Sequence, residues 1–267
     1  MAPTLPAHEM ERLAMAVTGR TRAGVLASPI TDPAARARLD ALVERRLAGE
    51  PLQYLEGSVP FGPVEVKVDR RALIPRPETE QLWELAAGRL GEAGPGTSLV
   101  DVGTGSGALA LALKHAFPSA PVYGIDRSAV ALELARENAA ANALEVTFLE
   151  GDLTDPLPGS LRGRVEMFVA NLPYLSEAEW AALPDEIRLH EPREALVAGP
   201  MGTEVLTRLA ADAYWWLGVG GWLVCEIGET QSEAALGLCG MYEREVRADL
   251  AGRPRFLVAR KGAPCCR

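Results

Sequence analysis

Asn171-Leu172-Pro173-Tyr174 brings together a side-chain amide, a backbone carbonyl held extended by the proline that follows it, and an aromatic ring. Those features suit a planar amino group. The Asn171 oxygen and the Leu172 carbonyl can each accept one amino hydrogen, and the Tyr174 ring can pack over the plane. A second cluster, Asp101-Val102-Gly103-Thr104-Gly105-Ser106-Gly107, spaces three glycines at alternate positions after an apolar run. This is the pattern of a strand that turns tightly into a helix N-terminus and holds something polar against backbone. Nicotinamide cofactors, or tight packing alone, use similar turns. Asp126 closes the next apolar run, where a carboxylate can accept both hydroxyls of a ribose. Asp152, beside Leu153, follows a third run, where it or a neighbouring backbone group could reach an adenine amine. Together these residues point to an adenosine-containing cofactor beside an amino-group acceptor. In Ile74-Pro75-Arg76-Pro77-Glu78-Thr79-Glu80 two prolines stiffen an approach segment. Arg76 and Glu78 could pair with each other at a junction, or form part of the wall over cofactor and acceptor.

The elements that must position these residues follow from periodicity. Ser98 to Val102, Pro121 to Ile125, Glu145 to Leu149 and Val165 to Ala170 read as strands, with helices from Gly107 to Ala116 and from Ser128 to Ala140. A helix from Leu206 to Leu217 precedes a strand from Gly221 to Ile227, and runs near Tyr242 to Ala248 and Phe256 to Ala259 are close enough to pair antiparallel. The reading is an α/β doubly wound sheet with a hairpin edge. Towards the N-terminus, Leu39, Leu42, Val43 and Leu47 share one stripe of a helix over residues 34–48, and His8 to Val17 forms another with Leu13 and Val17 inward. This lobe buries little by itself and should lean on another surface. Alternation from Phe61 to Val68 predicts a half-buried strand in a linking hairpin.

The chain has 267 residues, a formal charge of −9 and 48% hydrophobic residues, the profile of a folded protein with a sizeable core. A pI near 5.0 weakens the case for a nucleic-acid groove. No targeting segment or membrane span is visible, so a cytoplasmic location is expected. Four cysteines without a Cys-x-x-Cys pair, and only three histidines, predict no metal site; Cys265 and Cys266 sit at the chain's end, where a redox role is not expected. His190 reads as a surface or supporting residue rather than a base, and Trp215, Trp216 and Trp222 as packing residues.

The chain resembles the class I S-adenosylmethionine-dependent methyltransferases, and among them the HemK/PrmC protein-(glutamine-N5) methyltransferases of peptide-chain release factors. The resemblance runs through Pro51 to Leu55 with Gly57, Phe61 and Gly62, Leu73 to Glu80, Asp101 to Gly107, Asn171 to Tyr174, Glu191-Pro192 with Ala195-Leu196, and Glu226-Ile227-Gly228. It implies a Rossmann-like, mostly parallel seven-stranded sheet ending in an antiparallel hairpin. The implied division is a helical substrate-recognition domain over residues 1–55, a hairpin over 56–78 and the S-adenosylmethionine domain over 79–267. It further implies that Asp101, Gly103, Thr104, Gly105, Gly107, Asp126, Asp152, Leu153 and Asn171 surround the cofactor. Asn171, Leu172, Pro173 and Tyr174, with Arg76 and Glu78, would hold the glutamine, and Asn171 and Tyr174 would be the catalytic pair. The implied acceptor is the glutamine of a Gly-Gly-Gln loop in a release factor, bound by a monomer that forms no stable nucleic-acid complex. Leu172 stands where that family usually has proline; Asn-Leu-Pro-Tyr is the form in ribosomal-RNA adenine-N6 dimethyltransferases. An RNA or DNA adenine-N6 methyltransferase is therefore the alternative.

Overall fold

The computed structural model describes residues 4–91, 93–238 and 241–263. Four helices open the chain, α1 (Ala7–Thr18), α2 (Arg22–Ala27), α3 (Pro33–Leu47) and α4 (Leu52–Glu56), followed by a hairpin of β1 (Ser58–Phe61) and β2 (Val64–Lys67). Helix α5 (Pro77–Ala87) leads into an alternation of β3 (Ser98–Val102), α6 (Ala108–Ala116), β4 (Val122–Asp126), α7 (Ala129–Ala141), β5 (Thr147–Glu150) and β6 (Val165–Ala170). An excursion of β7 (Leu175–Ser176), α8 (Glu177–Ala181), α9 (Asp185–His190) and β8 (Val197–Gly199) precedes α10 (Glu204–Trp216). The chain then runs through β9 (Leu217–Glu226), α11 (Ser232–Leu238), β10 (Tyr242–Ala248) and β11 (Pro254–Lys261). No helix among the described residues is long and apolar enough to cross a membrane.

The main sheet has seven strands in the order β10-β11-β9-β6-β3-β4-β5. The five strands from β9 to β5 run parallel, and β11 pairs antiparallel with both β9 and β10. Both faces are covered, as a parallel sheet requires, and alternate residues feed two cores. Leu99, Met167, Val169, Val224 and Phe256 enter one cluster, and Val100, Phe168, Ala170, Leu223, Cys225 and Leu257 enter the other. Truncating a fully buried member such as Phe168 to alanine costs about 3–5 kcal/mol.

The chain builds β3, β4 and β5 outward in one direction and then returns to lay β6 on the opposite side of β3. Strand ends part company at such a reversal, and a crevice opens beyond their carboxyl ends. Val102 and Ala170 are directly paired, so Gly103 and Asn171 leave the sheet side by side at that point.

The expected strand over residues 61–68 is two strands. Gly62 and Pro63 turn the chain, Phe61 faces Val64 across the hairpin, and Val64, Val66 and Val68 are buried while Glu65 and Lys67 are exposed. Asn138 in α7 then serves the hairpin as a neighbouring strand would. Its side chain accepts from Lys67 N–H at 2.8 Å and donates to Lys67 O at 3.1 Å and to Ser106 O at 2.9 Å. One buried amide thus ties the hairpin to the glycine turn.

The helical lobe does lean on its surroundings. Leu13, Leu52 and Leu55 form its small core, with Leu39, Leu42 and Val43 only partly covered, and α3 has no fully buried residue. Asp32 accepts from Ala34 and Ala35 N–H to start α3, with Pro33 in its first turn. Near its other end Arg46 holds Glu9 in α1 at 2.9 Å and Glu186 in α9 at 3.1 Å, spanning the lobe and the excursion. Helix α2, and the segments from β7 to β8, carry too little periodicity to be read from sequence.

Candidate active site

A cavity of about 250 Å³ lies beyond the carboxyl ends of β3, β4, β5 and β6. Gly103, Thr104, Gly105, Asp126, Asp152, Leu153, Asn171, Leu172 and Pro173 all line it, so most of the expected site residues meet in one place. Asp101, Gly107, Tyr174, Arg76 and Glu78 do not line its wall.

The glycine turn takes the expected form. Gly103, Gly105 and Gly107 have φ of 72°, 54° and 85°, left-handed backbone that side-chain-bearing residues avoid. A Cβ on Gly103 would come within 2.9 Å of the Leu172 side-chain end, so its positive φ requires glycine and the close approach of the two strand ends adds to that. Leu172 is buried and joins the core cluster of Val102 and Ile125. Its apolar side chain packs into the core at the cavity wall, so its carbonyl is the polar part it can offer to recognition.

Asp101 does not line the cavity and lies behind the glycine turn. It is sealed from solvent in β3, where its Oδ2 accepts from the Thr104 hydroxyl at 2.6 Å and from Ala110 N–H at 3.1 Å. Ala110 lies in the first turn of α6, so Asp101 satisfies an otherwise orphaned helix donor and clamps the turn from behind. Burial pushes its carboxyl up to about 7, against the two hydrogen bonds that favour the charged form. Asp126, by contrast, reaches the cavity. Its Oδ2 accepts from Gly105 N–H and its Oδ1 from Ser128 N–H, each at 2.9 Å, which fixes the carboxylate plane and leaves each oxygen a further lone pair. Burial raises its pKa, with the Ser128 and Gly105 amides opposing. Ser128 also caps α7 through Ala131 N–H. Next along the edge, Leu153 has φ of 47°, uncommon for a branched side chain, and Asp152 is held by Arg208 of α10 in a solvent-exposed pair.

At the other end, Asn171 Nδ2 donates to Thr79 Oγ1 at 2.9 Å, and the Thr79 hydroxyl donates to Glu226 Oε2 at 3.1 Å. The second Glu226 oxygen, Oε1, accepts from the Tyr174 hydroxyl at 3.2 Å. Tyr174 is therefore anchored through its hydroxyl rather than lining the wall. Burial, with the Glu226 charge nearby, pushes the Tyr174 hydroxyl pKa up. Glu226 is itself buried and pushed up to about 7 by desolvation.

Arg76 and Glu78 do not pair with each other. Arg76 donates to Glu191 at 2.5 Å and Glu78 accepts from Arg253 at 2.9 Å. The helix starts at Pro77 and Arg76 is extended, so residues two apart here point to different neighbours. Glu191 also accepts from Ile74 N–H at 3.2 Å, fixing the approach segment against the end of α9. His190 contacts Arg70 at 2.8 Å and lies off the cavity wall, as expected for a supporting residue. Among the tryptophans, the Trp222 ring has the Arg89 and Arg260 guanidinium groups 5.1 and 5.3 Å from its centre, Trp216 is partly buried, and Trp215 is exposed. Cys225 is buried in β9, while Cys239, Cys265 and Cys266 lie outside the described residues.

Sequence reasoning missed roles for Thr79, Glu191 and Glu226. The available signal was an ionisable residue at the end of an apolar run, Cys225-Glu226-Ile227, where an acid is tolerated only with partners. The donor set fits S-adenosylmethionine: a carboxylate suited to a ribose, backbone amides on a glycine turn, and an apolar wall from Ile125, Val130 and Leu172.

A family model described as methyltransferase domain matches residues 99–190, and one described as PrmC N-terminal domain matches residues 4–57. A release factor glutamine methyltransferase of Deinococcus radiodurans is 45% identical over 86% of this chain and 81% of its own length. One of Mycolicibacterium smegmatis is 38% identical over 95% of this chain and 90% of its own. Among solved structures, a methyltransferase from Pyrococcus furiosus superposes with a TM-score of 0.53 at 17% identity, covering 75% of this chain and 90% of that one, a likeness of fold. With both the helical lobe and the sheet matched, and such identity sustained over most of both chains, the chain belongs to the S-adenosylmethionine-dependent release factor glutamine methyltransferases.

Proposed function

We propose that the chain methylates the side-chain amide nitrogen of the glutamine in the Gly-Gly-Gln loop of peptide-chain release factors, giving N5-methylglutamine and S-adenosylhomocysteine. The observation that carries this reading is that Asn171 and Leu172 both line the cavity beside the glycine turn, where the Asn171 side-chain oxygen and the Leu172 carbonyl are two acceptors for one amide NH₂. In this reading the turn from Gly103 to Gly107 holds the methionine part, Asp126 the ribose, and the Asp152-Leu153 segment the adenine surroundings. Bound S-adenosylmethionine supplies a methyl group activated by positively charged sulfur.

An amide nitrogen is a weak nucleophile because its lone pair is delocalised into the carbonyl. Asn171 Oδ1 and the Leu172 carbonyl compensate by accepting both amide hydrogens, which orients the nitrogen and favours a more pyramidal geometry as the new bond forms. Pro173 holds Leu172 extended, and Tyr174, tied to Glu226, shapes the edge of this acceptor site. The proton leaves late, to water. Arg76, through Glu191, keeps the approach segment in place over the cavity. The helical lobe of residues 1–55 engages the release factor away from the glutamine, so that remote binding energy positions the poor nucleophile. The enzyme acts as a single chain in the cytoplasm, where its acceptor is made.

The test is transfer of labelled methyl to an intact release factor, to its Gln→Ala version, and to protein-free ribosomal RNA. Label on the intact factor alone is expected; label on RNA alone would overturn the reading in favour of an adenine acceptor.

A further inference from the structure

We infer that Thr79 and Glu226 are positioning residues that set the direction of the Asn171 amide, presenting its oxygen and not its nitrogen to the acceptor. The inference rests on the amide-acceptor reading above and deepens it. An asparagine side chain carries a donor and an acceptor on one fork of nearly identical shape, and a half-turn exchanges them. Only the oxygen can receive hydrogen from an incoming amide NH₂; the flipped form would set NH₂ against NH₂. Nothing within Asn171 chooses between the two.

The neighbouring groups do choose. Thr79 has one hydroxyl hydrogen to give. Its Oγ1 lies 3.1 Å from Glu226 Oε2 and 2.9 Å from Asn171 Nδ2. A carboxylate only accepts, so ionised Glu226 takes the Thr79 hydrogen. Thr79 must then accept from Asn171, which requires Nδ2 on the Thr79 side and turns Oδ1 away from it. The other Glu226 oxygen is already engaged by the Tyr174 hydroxyl at 3.2 Å, so the carboxylate has no competing orientation. The sense of a hydrogen bond at the acceptor site is thereby fixed two bonds away, by a buried charge on another strand.

The groups facing Glu226 are Thr79 and Glu78 from α5, Tyr174 after β6 and Arg255 from β11. Arg255 favours the ionised form, while burial and Glu78 oppose it, leaving the carboxyl pushed up to about 7. Once protonated, Glu226 no longer demands the Thr79 hydrogen. Thr79 can donate to Asn171 instead, and the flipped amide becomes accessible. The turnover rate should therefore fall on the acid side of neutrality through this relay.

The test uses Thr79→Val, Thr79→Ser and Glu226→Gln in the full-length protein with an intact release factor. Valine keeps the shape of threonine without its hydroxyl. Thr79→Val is expected to lower kcat by roughly tenfold or more, with the KM for the factor and the Kd for S-adenosylmethionine within about twofold of wild type. Thr79→Ser should recover most of the lost kcat, and Glu226→Gln should abolish the acid-side fall seen in wild type. A wild-type kcat in Thr79→Val would overturn the inference. So would a parallel loss of kcat and S-adenosylmethionine binding, which is what a merely structural role would give.

Neutron diffraction of the wild-type protein in heavy water above neutral pH reads the relay without catalysis. Deuterium on Asn171 Nδ2 facing Thr79, with the Thr79 hydroxyl deuterium directed at Glu226, is expected; a Thr79 deuterium directed at Asn171 would overturn it. If wild type labels no release factor, the amide-acceptor reading fails, and the deuterium positions still decide the relay.

Discussion

Asp101 in β3 and Glu226 at the end of β9 are both sealed from solvent, both hold a threonine hydroxyl, and both are pushed up to about 7 by burial. They differ in reach. Asp101 binds Thr104 and Ala110, three and nine residues further along the chain, and so organises a local turn that a single strand-turn-helix unit can form. Glu226 binds Tyr174 and Thr79, 52 and 147 residues away, and can organise nothing until the sheet has closed. The glycine-turn end of the cavity is thus a local motif, and the Asn171 end is a product of the whole fold.

The comparison is tested most severely by Asn171→Ala, which in the proposed function removes an acceptor from the reacting amide and also the donor to Thr79. The kcat on a release factor should fall by about 10²–10³-fold while the S-adenosylmethionine Kd stays within about twofold, read by single-turnover kinetics and calorimetry. Equal loss of both would mean that the two ends are not separate.

Asp101→Ala should act in the opposite way. It strands the Thr104 hydroxyl and the Ala110 N–H in a sealed site, destabilising the fold by about 2–4 kcal/mol in urea unfolding and weakening S-adenosylmethionine binding. Unchanged cofactor affinity would remove Asp101 from its supporting role.

A third effect concerns pH. Glu226 releases its proton near 4.5 when unfolded and near 7 when folded, so between those values the folded chain holds the extra proton and stability declines as pH rises. Asp101 acts in the same sense. Glu9 and Glu50, lowered by Arg46 and Arg45, contribute stability that is lost only as pH falls below the ordinary carboxylate range. Unfolding free energy should drop between about pH 5 and about pH 8, with Glu226 supplying up to about 3 kcal/mol of that drop. The drop should shrink in Glu226→Gln; an identical slope in that variant would show that Glu226 titrates as an ordinary carboxyl.

The smallest effect belongs to Arg208→Ala, which breaks an exposed pair with Asp152 and should change stability by less than about 0.5 kcal/mol. A larger loss would make the adenine edge as dependent on tertiary contacts as the Asn171 end.

Legibility in the sequence follows the same division. The glycine turn and the strand-helix alternation were readable because each depends on neighbours a few residues away, and Asp126 because it sits at the end of the adjacent strand, two residues before the Ser128 that caps the next helix. Asn171 to Tyr174 was readable as a recognition motif, since its residue types are unusual at a strand end. The partners of Arg76 and Glu78 were not, because the segment's extended start at Arg76 sends the two side chains to Glu191 and Arg253, both far along the chain. The supporting role of Asp101 was hidden for a different reason: in a strand with both faces buried, alternation places Val102 toward the cavity and Asp101 behind it. The turn at Gly62 and Pro63 was masked because buried Phe61 and the clean alternation of Val64, Val66 and Val68 lie on either side of it, although the three-residue step from Phe61 to Val64 breaks the period.

The most direct measurement is a tandem mass spectrum of a release factor after incubation with this protein and S-adenosylmethionine. The account predicts one added methyl group on the side-chain nitrogen of the Gly-Gly-Gln glutamine. A methyl group on any other residue, or an unmodified factor in the presence of active, cofactor-bound protein, would contradict it.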